Sequence, residues 1–289
     1  MHTQDRRTLA VGVIGAGRLG SALAAGLVTS GYRVAVASRS HERAGALASG
    51  LAIDAVAPER LVEHSDIVFL AVPDGAIRDV AAGLSWRRGQ AAVHCSGALG
   101  LDALQAAANS GAATGCLHPL QSFPADTAPR EAPGLFRGIT CGVEGTGPLG
   151  RVLDGIVVDL GGRTIRLDGV DRALYHAAAV LVSNDVIALA SAATRVWALA
   201  GLPAADARSA LAPLLRAAAG NVGALPLERA LTGPVARGDV ATVERHLQAL
   251  EMAPELRDLY RRLALELLRL ELGHPAGLAD ELRSVLTPE

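Results

Sequence analysis

A glycine-rich turn near the N-terminus constrains the fold of this 289-residue chain more than any other feature. An apolar run over residues 9–14 predicts a buried strand, the sequence GAGRLG follows it, and a helix is predicted over Arg18–Thr29. In such a turn the first glycine allows a tight bend, the second lets the backbone approach a pyrophosphate, and the third lets helix and strand pack closely. The helix N-terminus adds free N–H groups and a positive dipole. This context favours a dinucleotide site over a simple strand-to-helix turn. The residues predicted to bind the cofactor here are Gly15, Ala16, Gly17, Arg18, Leu19 and Gly20.

Strand and helix patterns alternate along the first 167 residues. Such alternation predicts a Rossmann-type α/β domain with a doubly wound parallel sheet. We expect further strands at 33–37, 66–72, 91–95, 115–117, 139–143 and 163–167, and further helices at 41–49 and 149–160.

The pattern changes after Asp168, where long helical periods replace the strand signals. Gly-Pro punctuation separates the helical segments, as is typical of helix ends. We expect helices at 170–200, 204–220, 226–231, 240–250 and 254–272. The sequence therefore predicts a dinucleotide-binding domain over residues 1–167 and an all-α domain over residues 168–289.

The residues after the second strand indicate which dinucleotide the site binds. NAD enzymes place a carboxylate there, which accepts hydrogen bonds from the ribose 2′-hydroxyl. This chain has Ser38, Arg39 and Ser40 instead. Because a guanidinium and two hydroxyls suit a 2′-phosphate, the sequence favours NADP(H) over NAD(H). In the alternative interpretation Arg39 is an ordinary solvated arginine, and Arg43 shares any phosphate contact.

Polar and turn residues follow three neighbouring strands at the edge where ligands of open α/β sheets collect. We expect Val72, Pro73, Ser96 and Gly97 to lie on the nicotinamide side of the cofactor. The third strand end carries the sequence HPLQSF, in which Gln121 and Ser122 are candidates for binding substrate. Three such ends on one rim make a site plausible.

Charge and cysteine content exclude several classes of function. The 27 basic residues are all arginine, which removes Schiff-base mechanisms that need lysine. A net charge of −2 without a clustered basic face argues against nucleic acid as a partner. The three cysteines, Cys95, Cys116 and Cys141, have neither disulfide-framework nor zinc-site spacing, so we expect packing roles and no metal.

The expected location is the cytoplasm, because an odd number of cysteines without disulfide spacing suits a reducing compartment. The opening residues mimic a signal peptide, but the short apolar run passes straight into the glycine motif without a cleavage site. The longest apolar stretch, residues 173–202, is interrupted by polar residues. We interpret it as a buried helix of a soluble protein and not as a membrane span.

With lysine absent, the candidates for proton donation are histidine, tyrosine, serine and asparagine side chains and protonated waters. His118 lies at a strand end, and His176 shares a helix face with Ser183 at a spacing of seven residues, next to Asn184. Each of these also fits a purely structural role as a hydrogen-bonded core residue. On a later loop Arg237 is a candidate for pairing a substrate carboxylate, and Asp239 fits either the substrate or a helix N-cap.

Six segments in order, GVIGAGRLG, AVPD, HCSGALG, LHPLQSF, YHAAAVLVSN and TGPVARGD, carry a resemblance to a known group. The chain resembles Rossmann-like proteins with a helical C-terminal domain long catalogued as of unknown function, a group that includes an alternative type of ketopantoate reductase. It is more distantly similar to pyrroline-5-carboxylate reductases, β-hydroxyacid dehydrogenases and coenzyme F420-dependent NADP reductases.

This resemblance implies a 6-phosphogluconate dehydrogenase C-terminal-like helical domain, NADPH in the crevice, substrate between the domains, and a homodimer formed through the helices. The familiar ketopantoate reductases and β-hydroxyacid dehydrogenases place a catalytic lysine on the first long helix of the second domain. This chain has His176, Ser183 and Asn184 in that stretch instead, which leaves the proton donor open.

Three functional hypotheses follow. The first is an NADPH-dependent oxidoreductase that reduces a small 2-oxo acid, with ketopantoate (2-dehydropantoate) as the preferred substrate. The second is an imine reductase or a deazaflavin-linked NADP reductase. The third is a non-catalytic NADP-binding sensor, which the absence of lysine keeps open.

Overall fold

A computed structural model describes residues 6–124 and 132–287 of the chain. The chain divides into two compact units, of which the first ends at Ser183 and the second begins at Asn184. The sheet ends earlier, at Arg166. The helix after it groups with the first unit by its contacts, whereas the domain boundary at 167/168 stays a prediction.

The first unit is built on one eight-stranded sheet. Its strands have the order β3-β2-β1-β4-β5-β6-β7-β8, which is the doubly wound arrangement with a crossover point between β1 and β4. Their bounds are β1 Ala10–Ile14, β2 Arg33–Ala37, β3 Asp54–Ala55, β4 Ile67–Leu70, β5 Ala91–His94, β6 Ala113–Pro119, β7 Thr140–Gly145 and β8 Arg163–Arg166.

The sheet is not wholly parallel, which corrects the expectation from the sequence. Strand β7 runs antiparallel to β6, and β8 is parallel to β7. An antiparallel pair near the edge of an otherwise parallel sheet is common, because the chain then doubles back without crossing a face. The strand patterns at 115–117 and 139–143 carry no signal for relative direction, so the sequence could not predict this.

Seven helices of the described chain belong to the first unit. They are α1 Arg18–Thr29, α2 His41–Leu51, α3 Pro58–Glu63, α4 Asp74–Ala82, α5 Gln105–Asn109, α6 Leu149–Asp159 and α7 Arg172–Leu181. Helix α1 packs Leu23 and Leu27 against the strands, and both side chains are fully buried. The sequence prediction included α1, α2 and α6 but missed the short helices α3, α4 and α5.

The helix predicted over 170–200 is two helices. Helix α7 ends at Leu181, and α8 spans Asn184–Leu199. Between them the Ser183 hydroxyl donates a hydrogen bond to the carbonyl of Ala179 at 2.7 Å. A serine bonded back to the preceding turn competes with the backbone ladder and bends helices, which accounts for the break.

The second unit is all helical in its described part. Besides α8 it contains α9 Ala204–Ala224, α10 Leu227–Ala230, α11 Pro234–Arg237, α12 Val240–Ala249, α13 Pro254–Leu267 and α14 Leu278–Leu286. A small core joins the last four of these helices through Val235, Val243, Ala264 and Leu282.

The apolar stretch expected to be a buried helix is instead exposed. Helix α8 has no buried residue, and α9 buries only Ala207. Residues Arg172–Leu199 are long and apolar enough, by length and composition alone, to cross a membrane. The turn at residues 182–183 divides them into helices of 10 and 16 residues, each shorter than the roughly 20 residues that a crossing needs. Large apolar side chains of this stretch, among them Leu181, Val182 and Ile187, are therefore exposed.

Candidate functional site

The glycine turn has the geometry that a bound pyrophosphate requires. Gly15 has φ +121°, and a Cβ at Gly20 would overlap the carbonyl oxygen of Gly15. Gly17 is the N-cap of α1 and has nothing within 4 Å of its missing Cβ, so the approach to the helix N-terminus is open. No side chain caps that end and no acidic residue lies in the first turn, which leaves α1 amides available to an anion.

Two serines in the segment after β2 accept hydrogen bonds from backbone amides of the same segment. Ser38 Oγ accepts a hydrogen bond from the Ser40 amide at 3.3 Å, and Ser40 Oγ accepts from the Arg43 amide, also at 3.3 Å. Ser40 is therefore the N-cap of α2, a role that the sequence reading did not give it. Arg39 between the serines is exposed. Residues 38–40 present hydroxyls and a guanidinium and have no carboxylate, which suits a phosphate, although Glu42 follows in the first turn of α2.

The pairing register of β1, β4, β5 and β6 brings the carboxyl ends of these strands to one edge of the sheet. Ile14 pairs with Leu70 and Leu70 with His94, so β1, β4 and β5 finish in one row. Strand β6 continues from Cys116, the partner of His94, to Pro119. The turns that follow this row therefore share the same edge of the sheet, as the sequence predicted. Val72 and Pro73 follow β4, and Ser96 and Gly97 follow β5.

Two histidines and a tyrosine converge at the end of β6, where His118 is the last residue but one. The Nδ1 atom of His118 and the hydroxyl of Tyr175 form a hydrogen bond of 2.9 Å, with the rings edge to face. The rings of His118 and His176 lie 6.0 Å apart, also edge to face. Both imidazoles face Gly97, where a Cβ would lie 2.7 Å from His118 Cε1 and 2.9 Å from His176 Nδ1. Gly97 is thus required by the two rings.

Burial sets the protonation states of this pair. Desolvation lowers the pKa of His118 to about 4, and the neighbouring His176 adds to the effect. Desolvation raises the pKa of Tyr175 to about 12. At neutral pH the pair is therefore a neutral imidazole beside a protonated phenol, which together can hold and release one proton.

A third histidine lies beneath this cluster. His94 is fully buried, and its Nδ1 atom accepts a hydrogen bond from the Ser96 amide at 3.2 Å. Burial lowers its pKa to about 4, with a further contribution from Arg172. Since Nδ1 accepts, the proton resides on Nε2, which has no hydrogen-bond partner among the described residues.

Arg172 and Glu144 form an ion pair next to the cluster. Arg172, at the start of α7, is 9% exposed and donates to the carboxylate of Glu144 on β7 and to Cys116 Sγ at 3.4 Å. Burial raises the pKa of Cys116 to about 11 although Arg172 opposes the shift. The thiol therefore stays protonated, and its packing role agrees with the sequence prediction.

The other predicted site residues are exposed or belong to the second unit. Gln121 and Ser122 are exposed, and the Gln121 side chain accepts a hydrogen bond from the Ser122 amide at 2.8 Å. Ser183 is exposed and bonded back to α7. Asn184 begins α8, and Arg237 is the last residue of α11, both in the second unit.

Sequence reasoning missed three residues of the cluster. Tyrosine was among the candidate types of proton donor, but Tyr175 was not chosen as a site residue. Arg172 was not considered, and Asp74 was treated only as part of a strand end. The Asp74 carboxylate accepts a hydrogen bond from Ser96 Oγ at 2.7 Å. Asp239, left open between two roles, is the N-cap of α12 and accepts from the Thr242 amide at 3.1 Å.

Two family models match the chain. Residues 10–96 match the model described as NADP oxidoreductase, coenzyme F420-dependent, and residues 139–267 match a domain of unknown function, DUF2520. Comparison with curated proteins gives no match.

Solved structures share the fold over nearly the whole chain. Protein TM1727 from Thermotoga maritima is 28% identical, with 94% of this chain and 99% of that chain covered and a TM-score of 0.70. The 1-pyrroline-5-carboxylate reductase from Streptococcus pyogenes is 16% identical, with 96% and 99% covered and a TM-score of 0.62. A reductive aminase from Aspergillus terreus, solved with NADPH and ethyl-5-oxohexanoate, is 17% identical, with 96% and 92% covered and a TM-score of 0.60.

These comparisons confirm the Rossmann fold, its NADP cofactor and the distant likeness to pyrroline-5-carboxylate reductase. They also confirm that the chain has the domain pairing expected from its resemblance. The grouping with ketopantoate reductases stays a prediction.

Proposed function

Because the chain joins an NADP oxidoreductase domain to a helical domain of unknown function, it is an NADP-dependent oxidoreductase, and we propose that it reduces a small C=N or C=O compound. The observation that carries the proposal is the pairing of His118 with Tyr175 at 2.9 Å, beyond the strand edge where a nicotinamide ring belongs. A nicotinamide reductase needs little else from the protein than alignment and a proton.

In the proposed cofactor pose the pyrophosphate lies on the turn 15–20 and the 2′-phosphate on Ser38, Arg39 and Ser40. The nicotinamide then passes Val72 and Pro73 and lies near Ser96 and Gly97. The open N-terminus of α1 and the absence of a carboxylate from residues 38–40 support this pose. The nicotinamide supplies the hydride.

We assign proton transfer to Tyr175, with His118 as the group that positions and stabilises it. In the tautomer with the proton on Nδ1, His118 donates to the phenolic oxygen and leaves the Tyr175 proton free for the substrate. The same hydrogen bond then stabilises the phenolate that forms. His176 keeps a role in orienting His118, because the two rings share the space above Gly97.

The remaining candidates are proposed to contact substrate. Gln121 and Ser122 are exposed beyond β6, and Ser183, Asn184 and Arg237 are polar residues on or beside apolar helices. Their roles are part of the same proposal and are tested by their effect on KM.

Two substrate classes are proposed. Imine reduction is supported by the fold likeness to 1-pyrroline-5-carboxylate reductase and to the reductive aminase. Reduction of a 2-oxo acid such as ketopantoate to pantoate rests on the sequence resemblance and on Arg237 as a carboxylate partner. A deazaflavin-linked reaction and a non-catalytic sensor are the alternatives that the experiment below separates.

We also propose a homodimer that covers the apolar faces of α8 and α9. Ile187 is 69% exposed and Leu214 is 68% exposed, and large apolar patches on a soluble monomer mark interaction sites. The three cysteines are free thiols, which supports the expected reducing, cytoplasmic compartment.

The test is NADPH oxidation by the purified protein with a panel of cyclic imines, 2-oxo acids and an oxidised deazaflavin. We expect turnover with at least one carbonyl or imine and a loss of kcat in Tyr175→Phe. Tight NADPH binding with no turnover across the panel would replace the reductase by the sensor.

A further inference from the structure

The carboxylate of Asp74 lies at the edge of the cluster. Asp74 follows Pro73 directly and is the first residue of α4, where a helix N-terminus favours negative charge. The residue is exposed, whereas its hydrogen-bond donor Ser96 is 4% exposed. Asp74 accepts a hydrogen bond from Ser96. The next residue along the chain, Gly97, faces the imidazoles of His118 and His176.

Ser96 fixes the orientation of that carboxylate. The amides of Ala98 and Leu99 donate to Ser96 Oγ at 3.1 and 3.2 Å, so both oxygen lone pairs are occupied. A hydroxyl has one proton, and here it is directed to Asp74 Oδ2 at 2.7 Å. One oxygen of Asp74 is therefore anchored from the buried side, and the exposed side chain can offer the other to a ligand.

The carboxylate of Asp74 has no ion-pair partner among the described residues of this cluster. The nearby guanidinium of Arg172 is already paired with Glu144. In residues 6–124 and 132–287 no arginine forms an ion pair with Asp74. The imidazoles of His94 and His118 are neutral at pH 7, because burial lowers the pKa of each to about 4. Apart from His176, the charges named here sum to one negative charge, that of Asp74.

Building on the proposed reductase function, we infer that Asp74 is the specificity residue for a cationic substrate, a protonated imine, held by its carboxylate against the Ser96 anchor. A 2-oxo acid would place its own carboxylate near Asp74, and like charges repel. A protonated imine gains an opposite charge and a charge-assisted hydrogen bond at the same position.

The reaction balances with the groups named. A hydride with its electron pair moves from C4 of NADPH to the iminium carbon, and a C–H bond forms. The π electrons of the C=N⁺ bond become the lone pair of the amine nitrogen. The iminium is reduced to an amine and NADPH is oxidised to NADP⁺. The proton is on the nitrogen before this step, and an imine that arrives neutral takes it from Tyr175, as a carbonyl substrate does when its alkoxide forms. Asp74 holds the cation before transfer, so its effect falls mainly on KM.

The test compares Asp74→Asn with Asp79→Asn, a control on the same helix in which an exposed carboxylate is removed. Asparagine keeps an oxygen that accepts from Ser96 and removes only the charge. The probes are N-methyl-1-pyrrolinium, which is permanently cationic, and cyclopentanone, a neutral ring of similar shape. We expect Asp74→Asn to lower kcat/KM for the pyrrolinium about 10- to 100-fold, mostly through KM, and to change cyclopentanone turnover less than about 3-fold.

Equal losses for both probes, or a raised KM for NADPH, would overturn the inference by placing Asp74 on the cofactor or in the fold. A kcat/KM for the pyrrolinium that is the same in Asp74→Asn and wild type would also overturn it. Thermal unfolding and NADPH titration of each variant show whether the protein is folded.

A binding measurement separates this inference from the proposed function. Calorimetry of pyrrolidinium against cyclopentanol, each added to the protein–NADPH complex, needs no turnover. We expect the cation to bind wild type at least about 10-fold more tightly than Asp74→Asn, with cyclopentanol unaffected. If no substrate is reduced, the reductase function fails while this result still decides the role of Asp74. Equal cation binding by both proteins contradicts it.

Discussion

The two units of this chain differ in whether they complete their own cores. In the first unit Val13, Leu23 and Phe69 are fully buried, and the sheet has helices packed against it. In the second unit, α8 buries nothing and α9 buries only Ala207. A helix that is apolar and exposed is stable only when another surface covers it. The first unit therefore buries most of its apolar residues itself, whereas the second buries a small core and leaves the apolar side chains of α8 and α9 exposed, as the proposed homodimer requires.

The same contrast separates two histidine–tyrosine pairs. His118 and Tyr175 in the first unit, and His246 and Tyr260 in the second, are each joined by a hydrogen bond of 2.9 Å. The first pair lies at the strand edge beside the proposed cofactor site. The second lines an apolar cavity formed by α8, α9, α12 and α13. The same hydrogen-bonded pair of side chains therefore occurs in two different surroundings. A substitution in the second pair is a control for the same substitution in the first.

The largest effect is expected from Gly20→Ala. Its Cβ would overlap the Gly15 carbonyl oxygen, so the turn and the start of α1 must shift. We expect NADPH affinity to fall at least about 100-fold and stability to fall by about 2–4 kcal/mol. Gly45→Ala, in the middle of α2 with nothing within 4 Å, is the matched control and should be stabilising by about 0.5–1 kcal/mol. Fluorescence titration of NADPH and thermal unfolding measure both; full affinity in Gly20→Ala would refute the assigned turn.

Tyr175→Phe should lower kcat about 100-fold, because the proton donor is lost while the ring remains. The dissociation constant of NADPH should not change. Tyr260→Phe, which removes the hydroxyl of the second pair, should keep wild-type kcat. Since the pKa of His118 is lowered to about 4, wild-type kcat should show no His118 titration near pH 6.5. Steady-state kinetics across pH test this, and equal losses in the two variants would remove the distinction between the pairs.

Leu214→Glu should dissociate the proposed dimer. A charge placed on the exposed face of α9 costs about 2 kcal/mol or more when an apolar interface forms over it. Val158→Glu is the control, because Val158 is 64% exposed on α6 of the first unit and should leave the oligomer intact. Sedimentation velocity distinguishes the outcomes. A wild-type monomer, or dissociation by Val158→Glu alone, would contradict the proposed role of the second unit.

Arg39→Ala should raise KM for NADPH about 10-fold, or about 1.4 kcal/mol, and leave KM for NADH nearly unchanged. The reason is the loss of the guanidinium beside the 2′-phosphate, which NADH lacks. Arg78→Ala is a suitable control, since Arg78 is an exposed arginine paired with Asp102. If KM for NADPH is unchanged, the phosphate is bound by other groups such as Arg43 and the α2 amides.

The sequence predicted the parts of the fold that depend on local patterns. The bounds of α1 and β2 agree with the structure, because glycine and apolar runs define them. The direction of β7 was missed, since pairing direction is a property of the neighbouring strand. The break at residues 182–183 was missed because a serine back-bond inside an apolar run leaves no periodic signal.

The site was predictable at the level of strand ends and not at the level of partners. His118 and His176 were chosen as polar residues in apolar surroundings, and the structure brings their rings together. Tyr175 and Asp74 were missed because their roles depend on contacts 57 and 22 residues away in sequence. Such contacts are set by the sheet register, which the sequence alone does not fix.

The central claim is that this protein transfers hydride from NADPH to a small C=N or C=O compound at the edge beside His118 and Tyr175. The most direct measurement is a single-turnover reaction with NADPH that carries two deuteriums at C4, followed by mass spectrometry of the product from a cyclic imine and from ketopantoate. The account predicts that one of these products gains a single deuterium on the former double-bond carbon, and that Tyr175→Phe slows its appearance. Bound NADPH that retains both deuteriums with every compound would contradict the account.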